Sequence, residues 1–306
     1  MDILKTNNLT KTYKGIPACD HINITIHKGD IYGFIGENGS GKTTLIRMIT
    51  GLINPTSGDY ELFGKGKSSE IRAMQNKVSA VVETPSLHLN LSGIDNLKMQ
   101  QLITGKRDDK QIAEILDLVG LSTKGIYGKQ VKDYSLGMRQ RLSIGIALIS
   151  NPEFLILDEP MNGLDPEGIV SMRNLILKLN EELGITFLIS SHILDELAKV
   201  ATRYGFIHRG SIIEEISKEE MLLKTRSFVD LVVDNKDKAI TILESLNLKD
   251  VETFNNTVRI YGTFEISKVL LKLSSENINV INMKQTDGSV ESYYLRLMEE
   301  RHAKFN

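Results

Sequence analysis

Residues Gly36-Glu37-Asn38-Gly39-Ser40-Gly41-Lys42-Thr43 follow a short apolar run, Ile31 to Ile35, and open a helical pattern from about Lys42 to Gly51. Strand, glycine-spaced turn and helix in this order match the phosphate-loop arrangement. Each residue type has a chemical reason. Glycines allow positive φ and let backbone N–H groups turn inward toward phosphate. The helix N-terminus adds unpaired donors and the positive end of a dipole. Lys42 supplies a point charge for the β- and γ-phosphates, and the Thr43 hydroxyl is a magnesium ligand. The segment predicts a site for ATP with Mg²⁺, built from Gly36, Glu37, Asn38, Gly39, Ser40, Gly41, Lys42, Thr43 and Thr44.

The surrounding pattern is that of an α/β protein. Ile31 to Ile35 reads as a strand buried on both faces. Residues 2–6 form a short apolar run. Residues 21–28 alternate, with Ile22, Ile24 and Ile26 on one side and Asn23, Thr25 and His27 on the other, which predicts one half-exposed strand. Asn54-Pro55-Thr56-Ser57-Gly58 breaks the chain. Residues 84–150 are helical in pattern, with helices over 94–103, 108–119 and 135–149. A buried strand, Phe154 to Leu157, follows, then a helix over 168–183, a strand over 185–190 and a helix over 193–200. Alternating short apolar strands and helices imply a largely parallel sheet.

Past Arg226 the texture changes. A strand over 228–233, a helix over 239–246, a hairpin of 251–254 and 257–261 through Asn255-Asn256, a helix over 266–273, a strand over 280–284 and a last helix from near Ser289 give the order β-α-β-β-α-β. That order predicts a small α+β, ferredoxin-like domain. The expected division is therefore residues 1–222, with a helical part at about 84–150, and residues 226–306.

Composition narrows the setting. A formal charge of -2 over 306 residues gives no electrostatic reason to expect a nucleic-acid partner. The N-terminus lacks a signal peptide's apolar core, and the longest apolar stretch, Leu142 to Ile149, falls far short of the ~18 residues of a membrane span. A single cysteine, Cys19, excludes an internal disulfide, suits a reducing cytoplasm, and reads as a small buried apolar side chain. Any membrane role must come through another protein.

The second chemical feature is an acidic pair. Phe154-Leu155-Ile156-Leu157-Asp158-Glu159 is a buried strand ending in two carboxylates, and ligands bind at such strand ends in parallel sheets. Asp158 is expected to hold Mg²⁺, and Glu159 to act as general base toward the attacking water.

Further segments line up around these two. Tyr134-Ser135-Leu136-Gly137-Met138-Arg139-Gln140-Arg141 precedes the acidic strand, Gly163-Leu164-Asp165 follows it, and Ser190-Ser191-His192 comes after the next strand. Over about residues 2–220 the set resembles the nucleotide-binding subunit of ATP-binding-cassette (ABC) transporters, and so implies the P-loop NTPase fold of an ABC nucleotide-binding domain: a mostly parallel sheet with antiparallel β and helical subdomains. The resemblance implies roles for single residues. Tyr13 matches the aromatic that stacks on adenine, with an ordinary strand aromatic as the plain alternative. Ser135 and Gly137 match the motif that reaches the γ-phosphate of ATP held by a second subunit, whereas Leu136 and Met138 depart from the usual Gly and Gln. Asp165 matches a loop at the dimer seam. His192 matches the histidine that contacts the γ-phosphate and positions Glu159.

The most informative departure is Glu83, in Val81-Val82-Glu83-Thr84-Pro85. Most members carry Gln there, touching magnesium and the lytic water. Glutamate adds an anion beside the metal and cannot donate a hydrogen bond unless protonated; neutral drift at a tolerant position is the plain alternative. Glu83, Pro85, the run Leu91-Ser92-Gly93-Ile94-Asp95-Asn96-Leu97, the signature and Ser289-Val290-Glu291-Ser292-Tyr293-Tyr294-Leu295 together resemble the bacitracin-resistance and lantibiotic-immunity type of exporter ATPase.

One phosphate loop and one signature imply a dimer, of identical or sister subunits, with two ATP molecules at the seam, working on a separate membrane permease at the inner face of the cell membrane. Region 84–150 is where the family docks the permease. Two further classes are compatible with an ABC cassette: the ATPase of a nutrient importer, and a soluble ABC protein acting on ribosomes. The first usually keeps Gln at position 83; the second usually carries two cassettes in tandem.

Overall fold

The computed structural model describes residues 1–82, 87–105, 107–123, 125–126 and 128–305. The chain divides into two compact units, Met1–Lys218 and Glu219–Asn306.

The N-terminal unit is built on a six-stranded sheet in the order Ser211–Ser217, Arg203–His208, Ile31–Ile35, Thr186–Ser191, Phe154–Asp158, Val78–Val81. Only the first pair is antiparallel; every other neighbouring pair is parallel. Ile31–Ile35 and Phe154–Asp158 are buried at every position, as their continuous apolar runs require. A second, antiparallel sheet is organised by the long strand Asp2–Tyr13, which pairs with Ile16–Ile22, Thr25–His27 and Ser57–Leu62.

The helix Lys42–Ile49 is only eight residues long, yet it buries Leu45, Ile46, Met48 and Ile49. These side chains share one core with Ile3, Leu4, Leu9, Ile22 and Ile26 of the antiparallel strands, with Ile24 between two of them, and with Phe34, Phe154, Ile156 and Leu188 of the parallel sheet. Packing against both sheets, rather than its own propensity, holds so short a helix.

The alternation of Ile22, Ile24 and Ile26 is real, since all three are buried, but the single strand expected over 21–28 is two strands, Ile16–Ile22 and Thr25–His27. His21 takes a positive φ of 50°. Across the interruption the buried Thr6 hydroxyl donates to Ile22 O and accepts from Ile24 N, both at 2.9 Å. A side chain thus replaces ladder bonds where the strand changes partner registers.

The helical part contains Gly93–Ile103, Asp109–Leu118 and Leu136–Leu148. Their starts are set by N-caps: Ser92 accepts from Asp95 N, Asp108 from Lys110 N and Gln111 N, and Ser135 from Met138 N. Among the described residues, no helix is long and apolar enough to cross a membrane.

The C-terminal unit has a four-stranded antiparallel sheet in the order Val251–Phe254, Thr257–Tyr261, Phe228–Val233, Val280–Thr286. The third strand in sequence lies between the first two, the split β-α-β arrangement of a ferredoxin-like fold. Helices Lys236–Ser245 and Ile266–Ser275 cover one face, where Val229, Leu231, Val258 and Ile260 meet Leu243, Val269 and Leu273.

Thr6 gives a direct test of the core around the interrupted strand. In Thr6→Val the shape is kept but a buried carbonyl and a buried N–H lose their partner, so stability should fall by about 2 kcal/mol. The expected outcome is a lower urea midpoint for the N-terminal unit at unchanged slope.

Candidate functional site

Three parallel strands end at one edge of the six-stranded sheet. The register sets Phe34 and Asp158 on either side of Ser190. The phosphate loop follows the first strand, Glu159 the second and His192 the third, so three distant segments meet at the carboxyl ends of neighbouring strands. The first two border a cleft of about 480 Å³ lined by Ala18, Asn38, Gly39, Gly41, Lys42, Thr43, Thr44, Leu136, Gln140, Asp158, Glu159 and Asn162.

The loop itself is held rigid. Lys42 is buried, and its ammonium donates to the carbonyls of Gly36 at 2.6 Å and Glu37 at 3.1 Å. An ammonium has three donors, so one remains, and Nζ lies 3.6 Å from Glu159 Oε1. Gly41 has φ 111°, and a Cβ there would meet Ala18 O at 2.4 Å. At Gly36 a Cβ would meet Ile207 O at 2.4 Å. Both glycines are therefore required by close backbone approach, and Gly41 by its conformation as well. Cys19 packs beneath the loop, fully buried, with Sγ donating to Gly41 O at 3.4 Å. Burial pushes its thiol up to about 12, which suits the sequence reading of a small buried side chain rather than a reactive one.

The two acidic residues sit differently. Asp158 is 8% exposed and accepts from the Thr43 hydroxyl at Oδ2, 2.9 Å away, and from the Ser190 hydroxyl at Oδ1. Glu159 adopts φ 52°, a conformation that costs a non-glycine residue roughly 1–3 kcal/mol. Its N–H donates to both Ser190 O, at 3.1 Å, and Ser190 Oγ, at 3.0 Å, which holds the turn. The carboxylate then faces two ways. Oε2 lies 2.7 Å from His192 Nδ1 and 3.3 Å from His192 N. A carboxylate oxygen only accepts, so the shared proton sits on Nδ1. Oε1 points toward Lys42 and is buried without a hydrogen-bond partner.

The structure thus brings Lys42, Thr43, Asp158, Glu159 and His192 together. Gly36, Gly39, Ser40 and Gly41 belong to the same turn and Thr44 to the helix after it; Ser40 is buried, Asn38 lines the cleft, and Glu37 contributes its carbonyl to Lys42. Tyr13 ends its strand with a half-exposed ring, opposite Ile16 and beside the strand that carries Ala18. Lys11 Nζ lies 5.4 Å from that ring. Ser135 and Asp165 act within their own helices: Ser135 caps Leu136–Leu148, and Asp165 caps Pro166–Leu183 by accepting from Gly168 N at 3.0 Å. Gly137 lies on the first turn after Ser135. Glu83 lies outside the described residues; the strand leading toward it, Val78–Val81, runs beside Phe154–Asp158.

Five residues of the site have no role assigned from sequence, among them Asn162, which lines the cleft and whose carbonyl accepts from Gln140 Nε2 at 3.3 Å. Ala18 contributes backbone, which a side-chain reading does not see. Leu136 and Gln140 reach the cleft together because they are four apart on one helix; that spacing was the available signal. Ser190 is visible within Ser190-Ser191-His192, but its place opposite Asp158 depends on the strand register.

A divalent cation suits this oxygen set. Among the described residues no group of three or more His, Cys, Asp or Glu forms a cage, but Mg²⁺ is commonly held by one or two carboxylates with substrate phosphates and water. The paired Thr43 hydroxyl and Asp158 carboxylate fit that pattern, as do the buried, unpartnered Glu159 Oε1 and Gln140 Oε1.

Two outcomes follow from the loop geometry. Gly41→Ala should abolish nucleotide binding by titration calorimetry while the far-UV circular dichroism is kept. Cys19 should resist thiol reagents at pH 8 in the folded chain and titrate as one thiol on unfolding, because raising its pKa from 9.0 to about 12 lowers the thiolate fraction about a thousandfold.

The model of the ABC transporter family matches residues 19–162. The chain is 40% identical over 301 residues to the bacitracin transport ATP-binding protein BcrA of Bacillus licheniformis, covering 97% of both proteins. It is 43% identical over 213 residues to the lantibiotic transport ATP-binding protein SrtF of Streptococcus pyogenes, covering 70% of this chain and 90% of that one. Among solved structures it is similar to the dimeric ATP-binding cassette MJ0796 in a post-hydrolysis state bound to ADP and Pi, with TM-score 0.62, 26% identity, and coverage of 70% of this chain and 98% of that one. It is also similar to cbiO1 of Clostridium perfringens, part of the transporter complex cbiONQ, with TM-score 0.65, 25% identity, and coverage of 80% and 96%. The chain belongs to the ABC transporter family: it is an ATP-binding, ATP-hydrolysing subunit that drives transport, similar over nearly its whole length to a bacitracin transport ATP-binding protein.

Proposed function

We propose that this subunit powers export of peptide antimicrobials, of the bacitracin or lantibiotic kind, through a separate membrane permease. The observation that carries the catalytic part is the arrangement of Glu159 between His192 Nδ1, at 2.7 Å, and Lys42 Nζ, at 3.6 Å, at the mouth of the phosphate loop. The cargo class is supported by relatives named for bacitracin and lantibiotic transport.

Each residue has a part. The backbone donors of Gly36–Thr44 and the ammonium of Lys42 bind the phosphates. Thr43 and Asp158 would hold Mg²⁺, with Glu83 as a further carboxylate. Bound there, the ion neutralises charge on the β- and γ-phosphates. Glu159 takes a proton from the attacking water, and His192 fixes the direction of its carboxylate. Tyr13 carries the adenine.

The subunit works as a dimer, of identical or sister chains, in which Ser135 and Gly137 of one subunit and Asp165 at the seam complete the site of the other. The dimeric state of a similar cassette supports this reading. Residues 1–222 form the cassette, residues 226–306 an accessory domain, and the whole is peripheral at the inner face of the cell membrane through the permease.

Glu159→Gln should lower ATP turnover by at least about 100-fold while ATP still binds; turnover at the wild-type rate removes Glu159 as the base. Glu83→Ala should lower turnover with ATP binding intact, and unchanged activity makes position 83 neutral. For the cargo, cells lacking the subunit should become sensitive to bacitracin-like or lanthionine peptides and regain resistance with the wild-type chain but not with Glu159→Gln. Unaltered sensitivity would sink the export reading.

A further inference from the structure

Ser190 is fully buried at the end of Thr186–Ser191, after Phe187, Leu188 and Ile189. A hydroxyl in such surroundings costs stability unless it is bonded, and this one is bonded on both sides. Its proton goes to Asp158 Oδ1. Its lone pair accepts the Glu159 N–H at 3.0 Å. The strand register makes this unavoidable, because Ser190 stands directly opposite Asp158 in the parallel pair.

We infer that Ser190 is a positioning residue for hydrolysis, its one hydroxyl setting both the Asp158 carboxylate and the backbone turn of Glu159. The inference rests on the assignment of Asp158 to the metal and Glu159 to the water. With Oδ1 tied to Ser190, the Asp158 carboxylate cannot rotate freely, and Oδ2 stays turned to Thr43, 2.9 Å away. The second bond acts on the next peptide. The Glu159 N–H is shared between Ser190 O and Ser190 Oγ, and that pair of acceptors holds the residue at φ 52°. At that φ the Glu159 side chain faces Lys42 on one side and His192 on the other. One hydroxyl therefore couples the orientation of the metal-side carboxylate to that of the water-side carboxylate, a coupling that valine or alanine at 190 would remove.

The test uses the full chain with Ser190→Ala, Ser190→Thr, Ser190→Val and Glu159→Gln. ATP affinity is measured in EDTA and at stepped Mg²⁺ concentrations, and steady-state turnover is resolved into kcat and KM. Ser190→Ala should bind ATP in EDTA as the wild type does. It should need about 10–100-fold more Mg²⁺ to reach half-maximal tightening, and lose kcat to a similar degree with KM little changed. Ser190→Thr and Ser190→Val have the same shape, so recovery in Thr alone assigns the effect to the hydroxyl. If the extra methyl is excluded, both fail in EDTA as well, and Ser190→Ala alone decides. A wild-type Mg²⁺ midpoint and kcat in Ser190→Ala overturn the inference, and so does an equal loss of affinity with and without Mg²⁺, which is a packing defect. Wild-type turnover in Glu159→Gln instead removes the reading on which the inference stands.

Discussion

Asp158 is a nearly buried carboxylate whose two oxygens are bonded to hydroxyls from different parts of the chain. One comes from Thr43, at the start of the helix after the phosphate loop, and the other from Ser190, at the end of a neighbouring strand. A buried carboxylate is tolerated only when it is bonded, so the helix start and the strand end are tied to this point. The phosphate loop, the Glu159 turn and the His192 contact are arranged around it.

The loop and the acidic turn meet that constraint in opposite ways. The loop uses glycine where Cβ atoms would collide with the backbone of Ala18 and Ile207. The turn keeps a glutamate at positive φ and holds it by the shared hydrogen bond to Ser190. The first removes a side chain so that two backbone segments can approach closely. The second retains a strained side chain whose carboxylate lies between His192 and Lys42. Strain of this kind persists where the surroundings over-determine it, and here they do: strand pairing, the Ser190 hydroxyl and the His192 contact all act on Glu159.

Much of the fold was legible because its apolar runs are clean. Ile31–Ile35, Phe154–Asp158, the helices starting after Ser92, Asp108 and Ser135, and the β-α-β-β-α-β order of the C-terminal unit follow from periodicity and caps. Other elements carried no such signal. Ser57–Leu62 buries only Tyr60 and Leu62 and owes its place to pairing with Asp2–Tyr13. Ser68–Gln75 buries no residue completely. Val78–Val81 is a half-buried edge strand. The interruption at Asn23 and Ile24 was hidden because the burial alternation runs straight through it; only the partner strand and the Thr6 hydroxyl break the ladder.

By itself the sequence determined the chemistry: a phosphate loop, two adjacent carboxylates and a histidine, in an order shared with ABC cassettes, with a glutamate at position 83. Those are properties of residue types and local spacing, which a linear chain carries. Only the tertiary structure decided that Ser190 faces Asp158, that the Glu159 carboxylate lies between Lys42 and His192, and that Ala18, Leu136 and Gln140 close the cleft. These relations depend on strand order and register, which are set by burial and pairing between separate segments, 32 residues apart for Ser190 and Asp158 and 115 for Thr43 and Asp158.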